Sequence, residues 1–449
     1  MKPVLLFLVL LTVPVLNRAQ VQIRPLPSKG YEQRISDFIN NMTVVDTHEH
    51  LLSPLKLKQR TTLDFMLLLQ HYSADDIKSA GLSSKLFSKL LQDSLSVKEK
   101  WNILKPYWEG SNNTAYNRNA LLAADKLFGI NDINESTVES LSEKIAKAYQ
   151  TEWINHVIND KCRIDYLIQD SDDRSFGTSG FRYAVRLDNF IFVNSKQQIG
   201  SLAKQQNASI VTLDDFIKTL GSRFAELKKK GGVVGIKSAL AYNRIINYEN
   251  TTRESAEKVF EKIMGASDGT SFPFAEVKPL QDFMMHRVLD IARENKMPVM
   301  IHTGLQTGNG NIIENSKPTH LVNLFSEYPD VTFILYHGSF PYGGELTTIA
   351  KYFPNVCIDM CWMYVISPSY SERYLNEWIE TVPASKIMGF GGDYLNVENA
   401  YGHLLMAKQV ITRVLTSKVK EGYLSENEAI NIARMILHDN AVRIFKLSE

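Results

Sequence analysis

Along the chain, short apolar runs alternate with longer segments whose apolar residues recur every three or four positions. That is the pattern of a parallel α/β fold, in which buried strands are joined by amphipathic helices. Eight runs read as strands: Thr43–His50, Cys162–Asp170, Arg182–Ile191, Gly232–Leu240, Met297–Gly304, Val331–Gly338, Asn355–Trp362 and Lys386–Asp393. Several separators read as helices. The segment 212–230 opens with a capping box, Thr212 with Asp215 three residues on, and ends in lysines before Gly231. Segments 274–296 and 425–446 carry apolar residues at helical spacing. Only about a dozen residues separate the second and third runs, near the minimum for a parallel crossover.

The first connection is long instead of short. Between the first two runs lie several helical patterns, among them "VKEKWNILKPYW" and "STVESLSEKIAKAYQTEWINHVI". They form a helical insertion, about residues 53–160, and insertions after barrel strands land on the active-site side. Eight βα units and one large insertion predict a TIM-type (β/α)8 barrel over residues 21–449.

Composition narrows the function classes. A hydrophobic share of 44% with 22% charged residues is that of a globular protein. The formal net charge of +1 predicts no nucleic-acid footprint. The first 20 residues have a basic Lys2, an apolar core from Val4 to Leu16 and "RAQ" near the expected cut, the layout of a signal peptide. Export to a periplasm or the exterior follows as an expectation, with no membrane association beyond that leader. Cys162, Cys357 and Cys361 are too few for a disulfide scaffold and read as buried thiols. Asn-x-Ser/Thr triplets at Asn41, Asn112, Asn134, Asn207 and Asn250 matter only in a host that glycosylates.

The candidate chemistry lies at the ends of the runs. Strand side chains alternate faces, so His48 and His50 in "VVDTHEHLL" point the same way, with Asp46. His302 ends the fifth run, His337 the sixth, Asp393 the eighth and Lys237 the fourth. Barrels assemble catalytic sites at these strand ends, and neutral imidazoles with a carboxylate suit a divalent metal. Tyr242 and Arg244 follow Lys237 in a loop over the site, where Arg244 suits a bidentate grip on a carboxylate or phosphate. In the insertion, Trp108, Asn117 and Arg118 suit a lid. Gly304, Gly308 and Gly310 give a flexible loop beside His302, without the ending of a phosphate loop. His71, His156, His286, His320, His403 and His438 have no convergent partner and read as structural.

These residues resemble the amidohydrolase superfamily of metal-dependent barrels, whose pattern is His-x-His on strand one, His on strands five and six and Asp on strand eight. The nearer likeness is to its amidohydrolase-2 branch, similar to uronate isomerases and to nodulin-like domains related to glutamine synthetase. It is carried by "YWEGSNNTAYNRNALLAADKLFGI" and "GGVVGIKSALAYNR". The resemblance implies that His48, His50 and Asp393 bind one divalent ion, zinc by preference, joined by His302, with Asp393 also the general base. His337 would polarise the substrate or bind a second metal. Lys237 would bridge two metals if carboxylated, or face a substrate carboxylate if not. The expected activity is hydrolysis of a C–N or C–O bond in a small polar substrate. Isomerisation or decarboxylation at the same site, and a non-catalytic ligand-binding barrel, are the alternatives. The expected partner is a small molecule, and a homo-oligomer is compatible with the sequence.

Overall fold

The computed structural model describes residues 29–60, 62–177 and 179–448. The signal peptide expected over residues 1–20 lies outside them. Eight parallel strands follow one another round a single sheet in chain order: β1 Val44–Glu49, β2 Ile164–Asp170, β3 Phe181–Arg186, β4 Val233–Ser238, β5 Val299–Ile301, β6 Phe333–Leu335, β7 Val356–Asp359 and β8 Ile387–Met388. The seam between first and last strands is closed by the segment after β8. Thr47 N–H donates to the Phe390 carbonyl at 3.2 Å, Asp393 N–H to His48 at 2.8 Å and His50 N–H to Tyr394 at 3.1 Å. The expected TIM-type barrel is the fold observed.

Each strand coincides with one apolar run because a barrel strand is covered on both faces and needs apolar residues throughout. All runs but the second overshoot the strands at their C-terminal ends, where polar residues leave the ladder. The third shows this most. Arg182–Ile191 reads as one strand, but β3 stops at Arg186 and Asp188–Ile191 forms a helical turn. The Asp188 carboxylate accepts from the Ala239 N–H at 2.8 Å, which pulls the chain towards the end of β4. The short crossover from β2 to β3 contains no helix among its described residues. Leu167 N–H bonds the Gly180 carbonyl at 2.9 Å and the Arg174 guanidinium lies 3.7 Å from the Tyr183 ring centre.

The connection between β1 and β2 is helical, with long helices at Val97–Glu109, Ala115–Phe128 and Val138–Ala148. Ser96 and Glu99 form a capping box at the first of these. The insertion shares one apolar core with the barrel helices and is also tied to it by polar contacts. Asn119 donates to the Tyr394 hydroxyl at 2.8 Å, and Trp153 Nε1 to Glu398 at 2.8 Å. Among the described residues no helix is long and apolar enough to cross a membrane.

Candidate metal centre

The barrel mouth holds a cavity of about 270 Å³, lined among others by His48, His50, Lys237, Tyr242, His302 and Asp393. Of the residues expected there, the structure brings three into one ligand set. His48 Nε2 lies 3.4 Å and His50 Nε2 3.3 Å from Asp393 Oδ1. Ligand atoms of these three residues all lie within 4.8 Å of one another.

Asp393 is held by its own backbone neighbourhood. It sits at φ 61, a left-handed conformation that a non-glycine residue adopts only when its surroundings impose it. The imposition comes from β1. The Asp46 carboxylate accepts from Gly392 N–H at 3.0 Å and Glu49 from Tyr394 N–H at 2.6 Å, bracketing Asp393 on both sides. Residue 392 must be glycine, since a β-carbon there would overlap the Glu49 carboxyl. Burial pushes the Asp46 carboxyl up to about 7 and Glu49 well above the usual range.

The electrostatics leave His48 and Asp393 in ligand form. Burial, then the Lys237 cation, hold His48 well below its ordinary pKa, so its imidazole is neutral. Burial opposes the Asp393 carboxylate, but the facing imidazoles outweigh it and hold the group well below the carboxylate range. The Nε2 atoms of His48 and His50, converging on one carboxylate oxygen of Asp393, are a donor set that suits a divalent ion. The residues fit the metal that the resemblance implies.

His302 stands differently from the expectation. Its Nε2 faces the Leu305 carbonyl at 2.8 Å and its Nδ1 lies 2.9 Å from His337 Nε2. Both nitrogens of His302 are thus engaged within the protein, one by a carbonyl and one by His337. His337 Nδ1 is then turned towards Asp393 Oδ2 at 3.7 Å and the Cys361 carbonyl at 3.2 Å. Burial depresses its pKa to about 3. A second set of close ligand atoms joins His337 and Asp393 with Cys361.

Lys237 is buried, with Nζ 3.5 Å from His48 Nε2 and 3.8 Å from the Tyr336 ring centre. Burial lowers its pKa to about 8. Tyr242 accepts the Thr307 N–H at 3.0 Å and packs on His302. Arg244 is not over the mouth. It is buried, pairs with Asp282 at 2.6 Å, bonds Gln281 and stacks between Tyr248 and Phe274, so its charge is consumed inside the protein. Trp108 is core to the insertion, Asn117 bonds Ser111, and Arg118 is exposed on Ala115–Phe128 away from the cavity.

Arg186 and His71 in the cavity wall, and Asp170 beside Arg186, have no site role in the sequence reading. Arg186, at the end of β3, makes a fork on Asp170 at the end of β2, with contacts of 2.5–3.0 Å. Asp170 also lies 3.9 Å from His50 Nε2. Arg186 was hidden because the third run reads five residues past it; the polar step "RLD" inside that run is the signal that marks a strand end. His71, read as structural, lines the cavity at φ 71 and stacks on Tyr72. It arrives from the insertion, whose placement one sequence does not reveal.

Comparison with known proteins follows the same lines. The amidohydrolase family model matches residues 268–447. Protein fluG of Emericella nidulans is 26% identical over 244 residues, 53% of this chain and 28% of its own length. The uronate isomerase of Thermotoga neapolitana is 20% identical over 266 residues, 56% of this chain and 57% of its own. The chain therefore spans well under two thirds of these relatives. The crystal structure of uronate isomerase from Thermotoga maritima superposes with a TM-score of 0.77 at 19% identity, covering 92% of this chain and 97% of that one. The resemblance to the amidohydrolase superfamily read from the strand ends, and to its amidohydrolase-2 branch read from the insertion and the fourth run, is supported by these matches, and the whole barrel is shared with uronate isomerase structures.

Proposed function

We propose that this amidohydrolase-type barrel is a metal-dependent hydrolase, holding one divalent ion, zinc by preference, on His48, His50 and Asp393. The convergence of both His48 and His50 Nε2 on one Asp393 oxygen carries the reading. A divalent ion bound there supplies Lewis-acid polarisation and makes water acidic enough to act near neutral pH. The chain's own groups do the rest. Asp393 Oδ1 faces the imidazoles while Oδ2 lies towards His337, so Oδ2 is placed to take a proton from the attacking water and return it to the leaving group. The buried ammonium of Lys237 provides a cation on the cavity floor that suits a substrate with an anionic group, while Arg186 at the rim is held on Asp170. The loop after His302 is anchored beside the mouth by Tyr242, whose hydroxyl accepts the Thr307 N–H.

A second reading, isomerisation of a hydroxy-carboxylate at the same groups, is favoured by the fold shared with uronate isomerases. Metal analysis with a screen of dipeptides, N-acyl amino acids, lactones and uronates separates the two. We expect about one zinc per chain and hydrolysis of one of the first three classes, lowered at least ~100-fold in Asp393→Asn. Turnover of uronates without hydrolysis would replace the proposal with the second reading. Full metal content with no turnover and no effect of Asp393→Asn on ligand binding would leave a binding protein.

A further inference from the structure

The opposite end of the barrel carries a larger cavity, about 840 Å³, where β5, β6, β7 and β8 begin and the C-terminal helix Asn440–Phe445 ends. Six cations line it, Arg293, Lys296, Lys351, Lys386, Arg443 and Lys446, against a single acid, Asp330. The chain as a whole balances 50 basic against 49 acidic residues, so this concentration is local and not a consequence of composition. An adjoining cavity of about 360 Å³ shares Lys296 and Lys446 and adds Arg182.

Elsewhere on the surface, cations meet carboxylates, as Arg34 does Glu426, Arg413 does Glu372 and Lys262 does Glu276. Here only Arg293 does, on Asp290 at 2.6 Å. The other five have no carboxylate within ion-pair distance among the described residues. Two are nonetheless fixed in place. Lys386 Nζ donates to the carbonyls of Ala350 and Phe353 at 2.5 and 2.7 Å, and Arg443 donates to Ser385 at 2.6 Å. Like charges gathered in a concave wall focus a positive potential, and their repulsion is a cost that a multivalent anion would relieve. Point-charge ammonium groups and forked guanidinium groups together suit phosphate oxygens. The recess is concave and has the size of a small-molecule site, which favours a compact ligand over a flat lipid surface or a duplex.

We infer that this basal cavity binds a small polyanion of the oligophosphate class, separately from the mouth. Such a ligand would bridge four strand starts and the C-terminal helix, on the barrel face that governs stability and not chemistry. The probe is inorganic tripolyphosphate, titrated calorimetrically into the metal-loaded full chain at about 50 mM and about 300 mM salt. The expected result is one equivalent bound, about tenfold or more tighter than orthophosphate, weakened by salt and accompanied by a rise in Tm. Lys351→Gln with Lys446→Gln should weaken binding by about tenfold or more while metal content stays unchanged; Lys98→Gln with Lys258→Gln, remote charges, should not. No saturable binding at millimolar probe, or binding that survives the Lys351/Lys446 pair, overturns the inference. So does binding lost in Arg186→Gln or paralleled by loss of metal, since the anion would then sit in the mouth.

Discussion

A single buried carboxyl, Glu398, shows how far this protein departs from aqueous behaviour one residue at a time. Its oxygens receive Trp153 Nε1 at 2.8 Å and the Tyr149 hydroxyl at 3.2 Å, the joint between insertion and barrel. Burial nevertheless raises its pKa from 4.5 to about 7, outweighing both donors. Between those values the folded state holds a proton that the unfolded chain has released. Stability should therefore be full below about pH 4.5, fall as pH rises towards 7 and level off above it, by ~3 kcal/mol at most. Glu398→Gln keeps an acceptor for one donor and removes the charge. Chemical denaturation at pH 5, 6, 7 and 8 should find the variant more stable than the parent at pH 8 and flatter in between. Parallel pH profiles for the two proteins would show that Glu398 stays ionised. The same logic of burial holds His48, His302 and His337 far below the ordinary imidazole pKa, and for His48 that burial was legible in the apolar run that precedes it.

At the scale of elements, all eight strands were legible because a parallel strand buried on both faces leaves an uninterrupted apolar run. Their ends were not, since the polar residues that close a run carry the site and leave the ladder, as His337 does at φ 65 and Asp393 at φ 61. That is why Arg186 was passed over, and why His302, correctly placed at the end of β5, is joined to His337 in a way no spacing could disclose. Arg244 was misplaced for another reason: its partner Asp282 lies on the helix Phe274–Glu294, a tertiary contact. The insertion's role follows from one such contact. Asp75, on the helix Tyr72–Ser79, accepts from Thr307 Oγ1 at 2.9 Å and Gly308 N–H at 2.7 Å, clasping the loop after His302. Gly304 begins that loop at φ 77 against the Phe340 backbone, so its start is rigid and its tip depends on the clasp. Asp75→Ala should free the tip: hydrogen exchange over residues 305–311 rises, global stability falls by only ~1–2 kcal/mol, and metal content is unchanged. Unaltered exchange in that loop would mean that the insertion covers the mouth without holding it.

For the whole molecule, the ligand set lies across the one seam of the barrel that the strand ladder does not complete. His48 and His50 lie at the end of β1, Asp393 follows β8, and among the described residues a few backbone bonds, from Thr47, His50, Leu52 and Asp393, run between the two segments. The acids Asp46 and Glu49 add their grip on Gly392 and Tyr394, but burial drives both towards protonation, which weakens a carboxylate as an acceptor. An ion shared by the three ligands would join the first strand to the chain after the last, and so close the circle. Ligand binding to the folded state alone stabilises by an amount set by free concentration over Kd, about 4 kcal/mol at a thousandfold excess. Removal of metal with a chelator should therefore lower Tm. It should also raise hydrogen exchange selectively at residues 44–50 and 389–395, leaving the insertion helices Val97–Glu109 and Val138–Ala148 protected. Re-addition of zinc should restore both, and His48→Asn should abolish the response. A Tm drop spread evenly over every strand would instead assign the ion to the barrel's general stability, and no change at all would remove it from these three residues.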